Sequence, residues 1–410
     1  MQFYIETLGC QMNVLDSELA ASALIGSGLT PASDKFDADV ILFNTCSIRR
    51  HAEDKVFSAL GRLKTWKDKK PYSVLGVIGC MAQKEQKNIF QRVPFVDLVL
   101  GPGSLDTLAA AVHQLLDEKV SGSRQAKKIA VSLDRKVNRH NDLIESYRLF
   151  NPERTVKETG TIKDIKAPKH ASLVRIMFGC NQFCSYCIVP YVRGPEQSRP
   201  PGEIIAEVQS LVRQGVSKIT FIGQTVNSYI YQDGGKTAKL ADLLYEASNI
   251  AGLEQLDFVT GYPKGVDDAL LQAVRDLPAV LKHFHIPAQS GSDSVLRRMN
   301  RHYTAAEYRE LTDRIYSAIP GSSLTSDFIV GFCGETDAEF EATVDLVKYC
   351  RFRNSFVFKY SVREGTKSAE LYADDVPETV KKYRNNWLLE VQKTAGTDDG
   401  ACQSCRNRYN

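Results

Sequence analysis

Short apolar runs alternate with amphipathic helical patterns along most of this 410-residue chain, and that alternation constrains the fold more than any other feature. In residues 1–118, Phe3–Leu8, Val40–Asn44, Val74–Ile78 and Val96–Leu100 read as strands, and Asp16–Ile25, Arg50–Leu63, Ala82–Gln91 and Leu105–Leu116 as helices. Such alternation with short connections predicts right-handed βαβ units and an α/β domain with a doubly wound parallel sheet. Asp16 and Ser17 suit a helix start, and Glu18 and Glu53 place acid near helix N-termini. A second series fills residues 171–393. Its strands are expected at Leu173–Met177, Lys218–Ile222, Leu256–Thr260, Lys282–Ile286, Leu324–Val330 and Ser355–Tyr360. The main helices between them are Gly202–Gln214, Leu240–Ile250, Val266–Leu277, Ala305–Ser317 and Asp337–Tyr349, and Val376–Lys393 closes the series. Six β/α units predict a partial (β/α)6 barrel, open at one side, with reactive residues on the C-terminal rim of its strands.

The cysteines sit at those strand ends. Cys180-Asn-Gln-Phe-Cys184-Ser-Tyr-Cys187 follows the first barrel strand with CxxxCxxC spacing. Three thiolates on one short loop can hold three irons of a cubane cluster and leave the fourth without a protein ligand. A structural zinc is the bland alternative, but it wants a fourth ligand and none follows nearby. Cys10, Cys46 and Cys80 each fall just past one of the first three N-terminal strands. Parallel strands end on one rim, so these three thiolates should converge and could hold a second cluster. Three buried structural cysteines are the alternative there. Gly9 and Gly79 directly precede two of them and would let the backbone approach a bulky inorganic core. Cys333 and Cys350 belong to neither triplet and read as packing thiols, while Cys402 and Cys405 form a CxxC with no second pair.

The CxxxCxxC spacing, with Tyr186 directly before its last cysteine, resembles the radical S-adenosylmethionine (SAM) superfamily. Gly9-Cys-Gln-Met-Asn13, Asp16-Ser-Glu18, Asn44-Thr-Cys-Ser-Ile-Arg49 and Gly79-Cys-Met-Ala-Gln83 look like its methylthiotransferase family, and Met12 favours the branch that acts on tRNA. Ser198-Arg-Pro-Pro201, Gln289-Ser-Gly-Ser-Asp293, Met299-Asn-Arg301 and Phe358-Lys-Tyr-Ser361 follow in the family's order. Pro195, Thr225, Tyr262 and Cys333 depart from its usual pattern. The resemblance implies two 4Fe–4S clusters, one on Cys10, Cys46 and Cys80, the other on Cys180, Cys184 and Cys187. It also implies SAM contacts at Tyr186, Gly223, Gln224, Gln289, Ser290, Asp327, Val330 and Gly331. Glycine punctuation at strand ends would explain Gly223 equally well, and His285 is either a proton carrier or a satisfied barrel histidine. The activity implied is methylthiolation at C2 of N6-(dimethylallyl)adenosine beside the tRNA anticodon. Its expected partners are the anticodon loop, a reductant such as flavodoxin or ferredoxin, and a sulfur donor. A ribosomal-protein side chain or another modified adenosine is the alternative substrate; electron transfer without SAM chemistry, or an inactive RNA-binding protein, is the alternative class.

Charge is unevenly spread. The chain carries 52 Lys/Arg against 49 Asp/Glu, a net +3. Residues 119–170, read as a basic linker, hold 13 Lys/Arg and 6 Asp/Glu, an excess of 7, so the remainder nets −4. Such a segment favours phosphates. The N-terminus runs straight into a strand pattern, without the basic and apolar regions of a secretory leader, and no apolar run reaches membrane-spanning length. A monomeric cytoplasmic protein with no membrane partner is expected. Residues 394–410 form an unpatterned tail where the family usually continues into an RNA-gripping TRAM β-barrel, which is expected to be missing.

Overall fold

The apolar runs of the N-terminal half form the strands of one parallel sheet, because each is buried on both faces. β1 (Gln2–Leu8), β3 (Val40–Thr45), β4 (Val74–Gly79) and β5 (Leu98–Leu100) are almost entirely buried. The short strands β2 (Thr30–Pro31), β6 (Lys128–Ala130) and β7 (Lys157–Glu158) complete the set. The order is β2-β1-β3-β4-β5-β6, with β7 also pairing with β1, and every pairing is parallel. Gly76 lets the sheet close, since a Cβ there would lie 2.6 Å from a Leu42 methyl and 3.2 Å from Leu98 Cβ. The computed structural model describes residues 1–47, 50–123, 126–133, 157–158 and 170–395. Most of the basic segment and residues 396–410 of the tail, including Cys402 and Cys405, lie outside the described residues; Thr394 and Ala395 end the last helix.

Helices α1 (Gln11–Gly26), α2 (Arg50–Arg62), α3 (Lys64–Lys69), α4 (Cys80–Glu85), α5 (Asn88–Arg92) and α6 (Leu108–Val120) connect the strands. Three differ from the sequence expectation. α1 begins five residues before Asp16, because the chain turns into a helix directly after Cys10. Asp16 and Ser17 therefore lie inside it, buried, and neither caps it. The expected helix Ala82–Gln91 is two short helices broken at Gln86, whose φ of 47° no α-helix tolerates. The helix expected from Leu105 opens as a 3₁₀ turn, Pro102–Thr107. Strands β6 and β7 fall in the segment read as linker; their low periodicity concealed them.

By its internal contacts the chain forms two compact units. One comprises Met1–Lys169, Phe178–Asn181 and Ile188–Gln197; the other comprises His170–Met177, Gln182–Cys187 and Ser198–Asn410. In the second unit β8 (Ala171–Arg175), β11 (Lys218–Ile222) and β14 (Gln255–Val259) pair in parallel, as do β15 (His283–His285), β16 (Ser323–Val330) and β17 (Asn354–Lys359). The hairpin β12 (Ile230–Asp233) with β13 (Lys236–Lys239) also belongs to the second unit, while the short strands β9 (Met177–Phe178) and β10 (Gln197–Ser198) fall at the division between the units. Backbone bonds from Leu281 N to Leu256 O (2.9 Å) and Gly261 N to His285 O (2.8 Å) join the two triplets into one six-stranded arc. The described strands do not close into a full barrel.

Helices cover the outside of this arc, among them α7 (Asp268–Asp276), α8 (Asp293–Arg298), α9 (Ala305–Ala318), α10 (Asp337–Cys350) and α11 (Glu378–Ala395). Thr304 with Glu307 and Thr336 with Glu339 form capping boxes that start α9 and α10 where the sequence places them. Cys350 lies in the main barrel core, and Cys333 packs with Val295, Met299, Phe332 and Tyr360, so both act as packing thiols. No described helix is long and apolar enough to cross a membrane.

Candidate functional site

The N-terminal cysteines come together because three neighbouring strands deliver them to one rim. Cys10 precedes α1, Cys46 extends the β3 ladder through a bond from its N to Leu8 O (3.0 Å), and Cys80 opens α4. Beneath them lies a buried amide lattice. Asn13 Nδ2 donates to Asn44 Oδ1 (2.9 Å), Asn44 Nδ2 donates to Asn13 O and Ser17 Oγ (both 2.8 Å), and Thr7 Oγ1 donates to Ser17 Oγ (2.7 Å). This lattice accounts for the two glycines. A Cβ on Gly9 would lie 2.6 Å from Asn13 Oδ1; on Gly79, at φ +91°, it would lie 2.4 Å from Asn44 Oδ1. The close approach they permit is to these amides, which hold the cysteine loops.

A cation completes this group. Arg193 comes from the short helix Val189–Arg193 in the same unit. It is 2 % exposed, donates through Nε to Cys80 Sγ (3.2 Å), and through Nη2 to Asp16 Oδ2 (2.9 Å). A hydrogen bond with Cys46 brings the Cys10 thiol down to about 6; burial opposes this, and Arg193 adds to it. Burial pushes Cys80 up against the pull of Arg193. Burial works against the Arg193 charge, but Cys80, Asp16 and Cys10 outweigh it and keep the guanidinium protonated.

The CxxxCxxC loop is fixed by local bonds at both ends. Cys180 N donates to Gly194 O (3.1 Å), and Asn181 and Glu196 exchange bonds of 3.1 Å. Gly179, at φ +67°, has no room for a side chain: a Cβ would lie 1.9 Å from Pro195 O. In the barrel unit, Ser185 N donates to Met299 O (2.9 Å) and Cys187 N to Cys184 O (3.0 Å). Asn300 Nδ2 donates to Phe183 O (2.8 Å), and Arg301 Nη1 donates to Cys184 Sγ (3.3 Å). Tyr186 lies against the apolar group around Phe332; burial, with Cys184 beside it, raises its phenol pKa.

Among the expected SAM contacts, three leave a buried acceptor with no partner among the described residues: Gln224 Oε1, Gln289 Oε1 and Asp327 Oδ1. Gln224 follows β11, Gln289 follows β15 and Asp327 lies on β16. Gln289 also holds a left-handed φ of +69°, a strained conformation for a side-chain-bearing residue. Gln289 N donates to Asp327 O (2.8 Å), so these two lie side by side. The others are already engaged. Gly223 makes room for Met177, whose Cγ would lie 2.6 Å from an added Cβ. Ser290 Oγ bonds Thr343 Oγ1 (3.2 Å), and Val330 is a core side chain. Gly331 N donates to Glu335 Oε2 (2.6 Å), and a Cβ there would meet the Lys381 stem. His285 Nδ1 bonds Thr325 Oγ1 (3.0 Å), while its Nε2 lies 3.6 Å from Asp327 Oδ2. From the sequence, Asp16 reads as a helix start and Arg301 as the end of a family segment, and Arg193 carries no reading; nothing local in the sequence shows that any of the three meets a cysteine or its partner.

The family described as Radical SAM superfamily matches residues 174–347, and Uncharacterized protein family UPF0004 matches residues 2–101. A tRNA-2-methylthio-N(6)-dimethylallyladenosine synthase of Rhodopirellula baltica is 49% identical over 398 residues, 97% of this chain and 80% of that protein. The chain belongs to the radical-SAM tRNA methylthiotransferase family. The like-named protein of Desulforamulus reducens is 41% identical to this methylthiotransferase, covering 95% of this chain and 80% of its own. Among solved structures, the radical SAM methyltransferase TsrM of Kitasatospora setae matches 90% of the methylthiotransferase and 77% of its own chain, at 12% identity and a TM-score of 0.61. That likeness is one of fold. The methylthiotransferase is thus a tRNA-modifying enzyme that acts with SAM, and its fold is of the kind that uses iron–sulfur chemistry.

Proposed function

We propose that this methylthiotransferase places a methylthio group on C2 of N6-(dimethylallyl)adenosine beside the tRNA anticodon, using two SAM molecules and two 4Fe–4S clusters. Cys10, Cys46 and Cys80 hold one cluster, and Cys180, Cys184 and Cys187 hold the other. The observation that supports this reading is that Cys10, hydrogen-bonded with Cys46, lies with Cys80 beside the buried Arg193, the three cysteines being remote in sequence from the CxxxCxxC loop.

The residues fit these groups chemically. Thiolates bind iron, and a nearby guanidinium favours the thiolate form. The orphaned acceptors of Gln224, Gln289 and Asp327 suit the ammonium, ribose hydroxyls and adenine amine of SAM, all of which are donors. Tyr186, Gly223, Ser290, Val330 and Gly331 shape the surrounding rim. When bound, the clusters and SAM supply the electron, the hydrogen-abstracting radical, the methyl group and a carrier for sulfur. The chain's own work is to fix these reagents, hold charge beside the thiolates and exclude water. The Phe332 and Tyr360 packing behind Tyr186 serves the last purpose. The enzyme works in the cytoplasm as a monomer, taking electrons from flavodoxin or ferredoxin and sulfur from a separate donor.

The deciding experiment is nucleoside mass spectrometry of tRNA from a strain lacking this gene, with and without complementation, and of its ribosomal proteins in parallel. Loss and recovery of the methylthio nucleoside supports the reading; an unchanged tRNA profile with an altered ribosomal protein overturns the substrate.

A further inference from the structure

Arg193 has one donor group left over. Nε and Nη2 form the fork that engages Cys80 Sγ and Asp16 Oδ2, but Nη1 is buried and has no partner among the described residues. A buried charged donor left unsatisfied is costly, and a bound water or ion is one of the things that offsets such a cost in a native fold. The position is also guarded. Ile188 and Val192, one turn apart on the Arg193 segment, pack directly on Cys80 and keep water from the guanidinium. An arginine cannot shed its proton, so this is a permanent cation in a dry site.

We propose that Arg193 is the anion-holding residue of the N-terminal site, with Nη1 reserved for a sulfur anion, a hydrosulfide or an alkanethiolate, lodged beside Cys10, Cys46 and Cys80. This rests on the reading that those cysteines carry a cluster. Asp16 acts as a positioning residue: it fixes the plane of the guanidinium, so that the third nitrogen is held out rather than free to rotate onto protein. A lysine could supply the charge but could not span Cys80, Asp16 and an anion together. Nothing in this role involves proton transfer by Arg193. It holds a nucleophilic sulfur in place.

The test uses the full chain with Cys180, Cys184 and Cys187 changed to Ala, so that only the N-terminal cluster is present. It is reconstituted anaerobically and titrated with sodium methanethiolate while the reduced cluster's EPR spectrum is recorded. With Arg193 in place, about four irons and a saturable spectral change are expected. Arg193→Gln should keep the iron and bind methanethiolate at least about tenfold more weakly, with Arg193→Lys between the two. Equal affinity at equal iron content overturns the role of Arg193 while leaving the cluster assignment intact. If the parent with Arg193 assembles no cluster, that assignment fails and the proposal fails with it. Should Arg193→Gln not assemble, Arg193→Lys decides by the same comparison.

Discussion

Arg301 donates through Nη1 to the sulfur of Cys184 at 3.3 Å, and its guanidinium carbon lies 4.7 Å from the ring centre of Tyr262 and 5.0 Å from that of Tyr303. The same side chain donates to Tyr303 Oη (2.9 Å) and Pro287 O (2.8 Å). Each cysteine triplet thus has one buried arginine bonded to one of its sulfurs, Arg193 to Cys80 and Arg301 to Cys184. Tyr262, which departs from the family's usual residue, supplies one of the rings over Arg301.

Arg301→Leu should lower stability by about 2–4 kcal/mol, because Pro287 O loses its charged donor and two rings lose a cation. Urea unfolding of the cluster-free protein measures this without interference from iron. A loss below about 0.5 kcal/mol would show that the network adds little.

Gly79→Ala should cost about 1–3 kcal/mol, since φ +91° is strained for alanine and the new methyl would overlap Asn44 Oδ1 and Thr45 O. Iron content at the N-terminal site should fall with it, because Asn44 helps hold the Cys10 and Cys46 loops. Retention of full iron after a clean loss of stability would separate the lattice from the site.

Iron counting after anaerobic reconstitution tests the two-cluster reading. About eight irons are expected in the wild type and about four in a Cys10/Cys46/Cys80→Ala variant that still cleaves SAM. About four irons in both would remove the second cluster.

Gln289→Gly should stabilise the SAM-free protein by about 1 kcal/mol, because it relieves the left-handed strain and removes a buried acceptor with no partner among the described residues. SAM should then bind about tenfold more weakly. Calorimetric titration with SAM, paired with thermal unfolding, gives both values, and unchanged SAM affinity would take Gln289 out of the cofactor site.

Glu335 gives the fold a pH signature. Burial pushes its carboxyl up to about 7 from a reference of 4.5, against the Gly331 N–H and Arg384. The folded state therefore holds the proton more tightly than the unfolded chain. Its contribution is full below pH 4.5 and is lost as pH rises through about 7. Glu335→Gln should flatten the stability–pH curve in that window, as read by urea midpoints from pH 4 to 8. An unchanged slope would assign it to other groups.

Strand–helix periodicity made most elements legible: Lys218–Ile222 forms a strand at the expected residues, and the capping boxes of Thr304 and Thr336 begin their helices on schedule. Cysteine placement after strands announced the convergence of Cys10, Cys46 and Cys80, because parallel topology carries strand ends to one rim. Asp16 shows the limit. In sequence it is a good helix cap; in the fold it lies 1 % exposed, paired with Arg193 177 residues away. Gly79 and Gln289 show the same limit, since a backbone angle and an orphaned oxygen exist only once neighbours are in place. The sequence by itself determined the order of elements, the cysteine spacing and the family, which are all local or periodic properties of the chain. Tertiary structure alone decided which charges meet the sulfurs, because burial selects partners by distance in space, and no periodicity in the chain encodes that distance.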